Sequence, residues 1–406
     1  MESPVLFSLA AIGILGILCQ WLAWWARMPA ILFLLLCGLI IGPVSGLLNP
    51  DEMFGDLLFP IVSLSVAVIL FEGSLTLRFD EIKGHGAMVR NLISIGALST
   101  WIIIAITAHY LIGFSYDLAF LFGAVVVVTG PTVIMPMLRT VRPNAKIANI
   151  LRWEGIAIDP LGALLAVLVF DFIITRQSGD ALENVVLIFG GIILAGAYIG
   201  MLAALLLGLV LRRHYVPEYL RNVLALTLVF AVYAIADFFK HESGLLAVTI
   251  MGITLANMND TDIDDILDFK ESLSVLLISG LFIILASRIE FYQMYQIGWA
   301  AVSVLAIIML FARPAAVWIS AIGSDLTFNE KLLISWIGPR GIVAAAVASV
   351  FALRLENIGY PDAALLVPLT FFIIIGTVVI QSATAKHFAA WLNVREPPPS
   401  GVLIIG

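Results

Sequence analysis

The chain has 406 residues, of which 62% are hydrophobic and 12% charged, and its formal net charge is −7. A soluble domain carries about 25% charged residues, so this composition excludes an ordinary water-soluble enzyme or binding module. The modest acidic excess comes from short connections and implies no nucleic-acid partner.

Apolar runs such as residues 4–26 and 91–114 exceed the ~20 residues with which a helix crosses a bilayer. The alternating ten-residue segments of an outer-membrane barrel are absent. The expected class is therefore an all-α polytopic membrane protein. In chain order the pattern predicts 13 spans: 4–26, 29–48, 56–77, 88–113, 117–138, 145–174, 184–212, 219–239, 243–257, 268–287, 296–321, 329–354 and 362–391. The first run is too long for a signal-peptide core and lacks a small-residue cleavage pattern, so it is read as the first span. Cys19 and Cys37 fall inside spans as packing residues. Fourteen of the 21 Lys and Arg residues lie at one set of span ends and four at the other, while Arg152, Arg313 and Arg340 lie within spans. The excess of positive charge marks the cytoplasmic side. It predicts an outside N-terminus and a cytoplasmic C-terminus in a bacterial inner membrane.

Span 3 carries Glu72 in "AVILFEGSL", near the positively charged end. Span 5 contains "VVVVTGPTVIMP" and span 12 contains "ISWIGPRGIVAA", with Gly130-Pro131 and Gly338-Pro339 near mid-length. Proline removes a backbone donor and clashes with the preceding turn. Interruptions at matching places in two halves of a membrane protein point to a midplane transport site. Pairing span 5 with span 12 predicts two six-helix repeats with span 7 between them.

Span 6 holds "RWEGIAIDPLGA". Charges at bilayer depth are costly and mark function. Glu154 and Asp159 are five residues apart, so on a helix they point about 140° from one another and need separate explanations. Asp159 shares its face with Gly155, Ile156, Gly162 and Ala163. Pro160 is expected to break the helix and to free the carbonyl of Ile156. A carboxylate beside a freed carbonyl is a partial shell for a small cation. Glu154 is expected to form a buried ion pair with Arg340 across the two broken regions, and Arg313, next to Pro314, to satisfy helix-end carbonyls. Arg152 is expected to extend toward the cytoplasm.

After the last span, "REPPPSGVLIIG" resembles a linker followed by the first strand of a cytoplasmic nucleotide-binding domain. Residues 1–393 are then the transmembrane domain and 394–406 the start of a regulatory one. No H-E-x-x-H, G-x-S-x-G or complete phosphate loop is present. Neither enzymatic activity nor a resident metal is expected.

Taken together, "FEG" in span 3, "TGPT" in span 5, "EGIAIDP" in span 6, "ESGLLAVTIMGITLAN" in span 9 and "GPRG" in span 12 resemble the monovalent cation/proton antiporter superfamily, in its NhaP-like sodium/proton exchanger branch. The resemblance covers residues 1–393. It implies 13 helices in two inverted six-helix repeats whose discontinuous helices, spans 5 and 12, cross, and a homodimer in which a core bundle moves against a scaffold in elevator fashion. By motif match, Asp159 stands where the ion- and proton-binding aspartate stands. Thr129 matches the residue whose backbone carbonyl helps hold the ion, Glu72 the span 3 acid, and Glu154 with Arg340 the ion pair. The branch commonly has Thr-Asp-Pro where this chain has Thr129-Gly130-Pro131. It also has a serine and an Asn-Asp-Gly where this chain has Gly155 and Ile158-Asp159-Pro160. The site here is expected to lean on Asp159, backbone carbonyls including that of Ile156, Thr132 and water, with Na+ or K+ as its cation. A single carboxylate implies electroneutral one-for-one exchange. A variant of the superfamily carries a cytoplasmic potassium-conductance-regulator domain, which suits the tail. Besides cation/proton antiport, two alternatives stand: a ligand-gated Kef-like potassium efflux system with a nucleotide at the missing domain, and a transport-inactive membrane sensor.

Overall fold

The computed structural model describes residues 2–26, 28–82, 84–175, 181–240, 243–258, 264–288, 298–360 and 362–396. Of the strand expected in 394–406, residues 397–406 lie outside the described residues. The described chain is helical, and its β-type pairing consists of two isolated bridges. The helices are α1 (Glu2–Ala26), α2 (Ala30–Leu39), α3 (Pro50–Phe54), α4 (Leu58–Leu75), α5 (Gly86–Asn91) and α6 (Ala97–Ile112). There follow α7 (Tyr116–Val126), α8 (Pro131–Val141), α9 (Ala145–Thr175), α10 (Ala181–Arg212), α11 (Glu218–Phe239) and α12 (Ser243–Ala256). The last are α13 (Asp264–Ser287), α14 (Trp299–Ile307), α15 (Arg313–Ser320), α16 (Phe328–Trp336), α17 (Ile342–Asn357) and α18 (Leu366–Trp391).

Eight of the described helical stretches are long and apolar enough to cross a bilayer, and four further apolar helices are shorter. In the stretches Leu6–Ala26 and Glu218–Phe239 only 22% of the apolar window is buried within the protein. Apolar faces of that extent are stable against lipid and not against water.

Spans 5 and 12 are each interrupted. α7 starts at Ser115, whose side chain accepts from the Leu118 amide, and α16 starts with a capping box between Thr327 and Glu330. These outer ends are closed as helix starts usually are. The inner starts, at Gly130 and Gly341, are extended and carry no side-chain cap. There the two interruptions cross. The Gly130 amide donates to the Pro339 carbonyl at 3.2 Å and the Gly341 amide to the Val128 carbonyl at 3.3 Å, forming an antiparallel bridge at Thr129 and Arg340. The approach needs glycine on both chains. A Cβ on Gly130 would lie 2.3 Å from the Gly341 Cα, and one on Gly341 would lie 2.7 Å from the Gly130 Cα.

Contrary to the expectation from Pro160, α9 runs unbroken from Ala145 to Thr175 with that proline inside it. One hydrogen bond is lost, but the surrounding turns are held on both sides. Asp159 and Pro160 are buried, and Gly162 sits so tightly on the span 5 interruption that a Cβ there would lie 2.1 Å from Val128 Cγ2. Tertiary packing therefore outweighs the local defect.

Replacing Gly341 with alanine is expected to destabilise the protein by about 1–3 kcal/mol through overpacking against backbone. Thermal unfolding in detergent tests this. Gly13→Ala, at a helical glycine with open space around it, should leave stability unchanged or slightly raised.

Candidate ion-binding site at the helix crossing

A helix end inside lipid leaves carbonyls without partners, and its C-terminus carries partial negative charge. Two arginines resolve this at the crossing. Arg340 Nη1 donates to the Val127 carbonyl at the end of α7, at 2.7 Å. Arg313 serves the end of α16: its Nε donates to the carbonyls of Ile334 and Ile337 at 3.2 and 3.1 Å, and its Nη2 to Ile337 at 2.7 Å. Gly338 makes room for it, since a Cβ there would lie 2.7 Å from Arg313 Nε. Amides of the interruption are satisfied from α18. Gly338 donates to Gln381 Oε1 at 3.0 Å and Arg340 to Thr377 Oγ1 at 3.2 Å.

The ion pair differs from the one expected. Glu154 does not pair with Arg340; both its oxygens are taken by Arg313, Nη1 to Oε1 and Nη2 to Oε2, the latter at 2.8 Å. The reason is directional. Arg340 lies within the interruption and turns to the α7 carbonyl, whereas Arg313 reaches the α16 carbonyls from α15 and meets Glu154 with its free edge. Arg313 does bind helix-end carbonyls, as its place before Pro314 suggests, and is the pair partner too. Both arginines and Glu154 are at least 95% buried. They line one chamber of about 10 Å³ together with Thr100, Thr129 and Ile158. The sequence signal for this pair was a third intramembrane arginine. What it lacked was any way to rank two arginines for one acid.

Asp159 is handled differently. It is fully buried, and neither of its oxygens has a hydrogen-bond partner among the described residues. Its Oδ1 lies 3.6 Å from the position of a Cβ on Gly341, so the carboxylate stands beside the crossing. Thr132 Oγ1 lies 3.4 Å from the position of a Cβ on Gly130, next to the same crossing. The hydroxyls of Thr129 and Thr132 are likewise buried without a partner. A buried carboxylate without a donor needs a countercharge, either a proton or a cation. The uncapped amide ends of α8 and α17 add positive potential there.

Ile156, one turn before Asp159, is fully buried beside Gly73 of α4, where a Cβ would lie 3.3 Å from Ile156 Cδ1. Beyond it, a cavity of about 460 Å³ opens between α1, α2, α4, α8 and α13, lined by Glu72, Gly73, Pro131 and Arg139 among others. It therefore brings Glu72 to the α8 side of the interruption. A second cavity, of about 870 Å³, borders the opposite half of α4 and is lined by Val66, Val343, Val350 and Arg354. Of these two cavities, α8 thus borders the first and α17 the second. Thr377 and Gln381, which support the crossing, were not anticipated. In the sequence they are polar residues four apart in an apolar helix, a signal open to reading.

Removing Arg313 strands a buried carboxylate, at a cost of about 3–5 kcal/mol. Arg313→Met should therefore destabilise strongly, and Glu154→Gln should recover part of the loss. The same cycle between Glu154 and Arg340 should show weaker coupling, and thermal unfolding of the four variants in each cycle measures both.

The sodium/hydrogen exchanger, transmembrane, family profile matches residues 8–391. The Na(+)/H(+) antiporter 1 of Methanocaldococcus jannaschii is 28% identical, over 90% of this chain and 88% of that protein. The K(+)/H(+) antiporter NhaP of Alkalimonas amylolytica is 25% identical over 92% of this chain, which spans 64% of that longer protein. The structure of the sodium proton antiporter MjNhaP1 from M. jannaschii at pH 8 superposes with a TM-score of 0.81 at 26% identity, covering 96% of this chain and 98% of that one. The chain is an integral membrane transporter of the sodium/hydrogen exchanger family.

Proposed function

We propose that this protein is a secondary active antiporter that exchanges a monovalent cation for protons, with Asp159 as the shared binding site. The observation that carries this reading is a fully buried carboxylate, unpartnered at both oxygens, beside the crossing of two interrupted helices. A proton and a cation each neutralise it, and they exclude one another. Competition for one group couples the two gradients without further machinery. One carboxylate handling one charge corresponds to electroneutral one-for-one exchange. The Thr129 carbonyl, Thr132 and the Ile156 carbonyl freed by Pro160 are the proposed further ligands.

The arginine-rich end is assigned to the cytoplasm, so the cavity reaching Glu72 and Pro131 is the inner vestibule, where Glu72 attracts cations toward the crossing. The 13 spans are read as two inverted six-helix repeats. The crossing helices move as a body against α1, α2, α10 and their neighbours, within a homodimer in a bacterial inner membrane. Relatives named for sodium and for potassium both resemble this chain. Either ion fits a site built mainly from one carboxylate, hydroxyls and backbone oxygens.

In proteoliposomes under a pH gradient, Asp159→Asn is expected to abolish exchange of both Na+ and K+. The apparent KM of the unmodified protein for the cation should rise as pH falls, because protons occupy the same group. Exchange that persists in Asp159→Asn sinks the assignment.

A further inference from the structure

At the arginine-rich end, the described C-terminal residues do not leave the molecule directly. The Asn144 amide donates to the Val394 carbonyl at 2.9 Å, and the Glu396 amide to the Arg142 carbonyl at 2.9 Å. Arg395 Nε donates to the Val141 carbonyl at 3.1 Å, closing the C-terminal end of α8. Asn329 Nδ2 donates to the Leu392 carbonyl at 3.0 Å. Residues 392–396 thus form a strap across the α8–α9 turn, with an antiparallel bridge at Pro143 and Arg395.

The strap closes one side of a cavity of about 720 Å³ whose lining includes Arg139, Arg142, Arg152 and Glu396. The turn holds Arg142 at a left-handed φ of 52°, and its side chain is exposed at the cavity. Arg152 touches Glu81 at 3.5 Å through Nη1, while its buried Nε has no hydrogen-bond partner among the described residues. Three arginines line this cavity, Arg139, Arg142 and Arg152, and the one acidic residue among the lining is Glu396 on the strap. Arg142 is exposed there and Arg152 keeps a guanidinium nitrogen without a partner among the described residues, and planar guanidinium donors match the oxygens of phosphate. This cavity shares Thr76, Met135 and Arg139 with the cavity that reaches Glu72.

We propose that this cavity is a binding site for a phosphate group, held by Arg142 and Arg152 and limited by Glu396 on the C-terminal strap. The phosphate belongs to a soluble anion or to the headgroup of an anionic lipid. An occupant stands at the mouth of the vestibule, and the strap that borders the site continues into the chain beyond residue 396. The site is distinct from Asp159, and its binding is measured without transport.

The test uses the purified full chain. Inorganic phosphate is titrated at constant ionic strength against chloride, with binding followed by calorimetry and thermal shift. In parallel, phosphatidylglycerol is added to phosphatidylcholine nanodiscs and retained lipid is measured by native mass spectrometry. The double variant Arg142→Gln/Arg152→Gln should weaken binding about tenfold or more, having lost two charge-assisted contacts. Glu396→Gln should tighten it, because a competing negative charge is removed. A merely structural role for the strap does not predict this opposition of signs. Saturable phosphate binding with that pattern supports a soluble ligand, and lipid retention alone with that pattern supports a headgroup. Binding of both probes that ignores the arginine variants, or saturable binding of neither, overturns the proposal.

Discussion

A helix that stops inside a bilayer exposes backbone groups that lipid cannot satisfy, and this molecule contains two such stops facing one another. Everything near the site follows from how they are resolved. The two interruptions bond to each other through Gly130, Val128, Pro339 and Gly341. Arg340 takes the carbonyl end of one half-helix and Arg313 that of the other. Gln381 and Thr377 supply acceptors for the amides of Gly338 and Arg340. The negative ends are thereby neutralised by fixed side chains, while the positive ends at Gly130 and Gly341 keep no side-chain cap. The crossing is a scaffold with residual positive potential, and the carboxylate of Asp159 stands beside it.

The two acids of α9 make a controlled contrast, since they share a helix and near-complete burial. Glu154 is locked by a bidentate guanidinium, which satisfies its charge but leaves it no freedom to bind anything else. Asp159 has no hydrogen-bond donor among the described residues. A group already paired would have to break a bridge worth several kcal/mol to exchange ligands, whereas an unpaired one changes ligand at the cost of the ligand alone. The five-residue offset between them keeps the paired acid and the unpaired acid on different faces of α9.

Much of this was legible in the sequence, for local reasons. Gly-Pro pairs in mid-span announce interruptions because the backbone chemistry of proline is local. That Glu154 and Asp159 face different surroundings follows from helical angle alone. What failed was long-range. Assigning Glu154 to Arg340 required knowing which of two buried arginines was already committed to a carbonyl, and only the crossing of spans 5 and 12 decides that. Pro160 read as a break because one lost hydrogen bond is visible in sequence, whereas the packing of Gly162 on Val128 that holds the helix together is not. The roles of Thr377 and Gln381, and of Gly338 in admitting Arg313, likewise exist only once α15, α16 and α18 are brought together.

The central claim is that one carboxylate exchanges a proton for a cation. Its most direct measurement is proton release from the purified protein in weakly buffered detergent on addition of Na+ or K+. The account predicts release approaching one proton per chain, saturating with cation concentration and absent in Asp159→Asn. Cation binding without proton release, or release that survives in that variant, would contradict it.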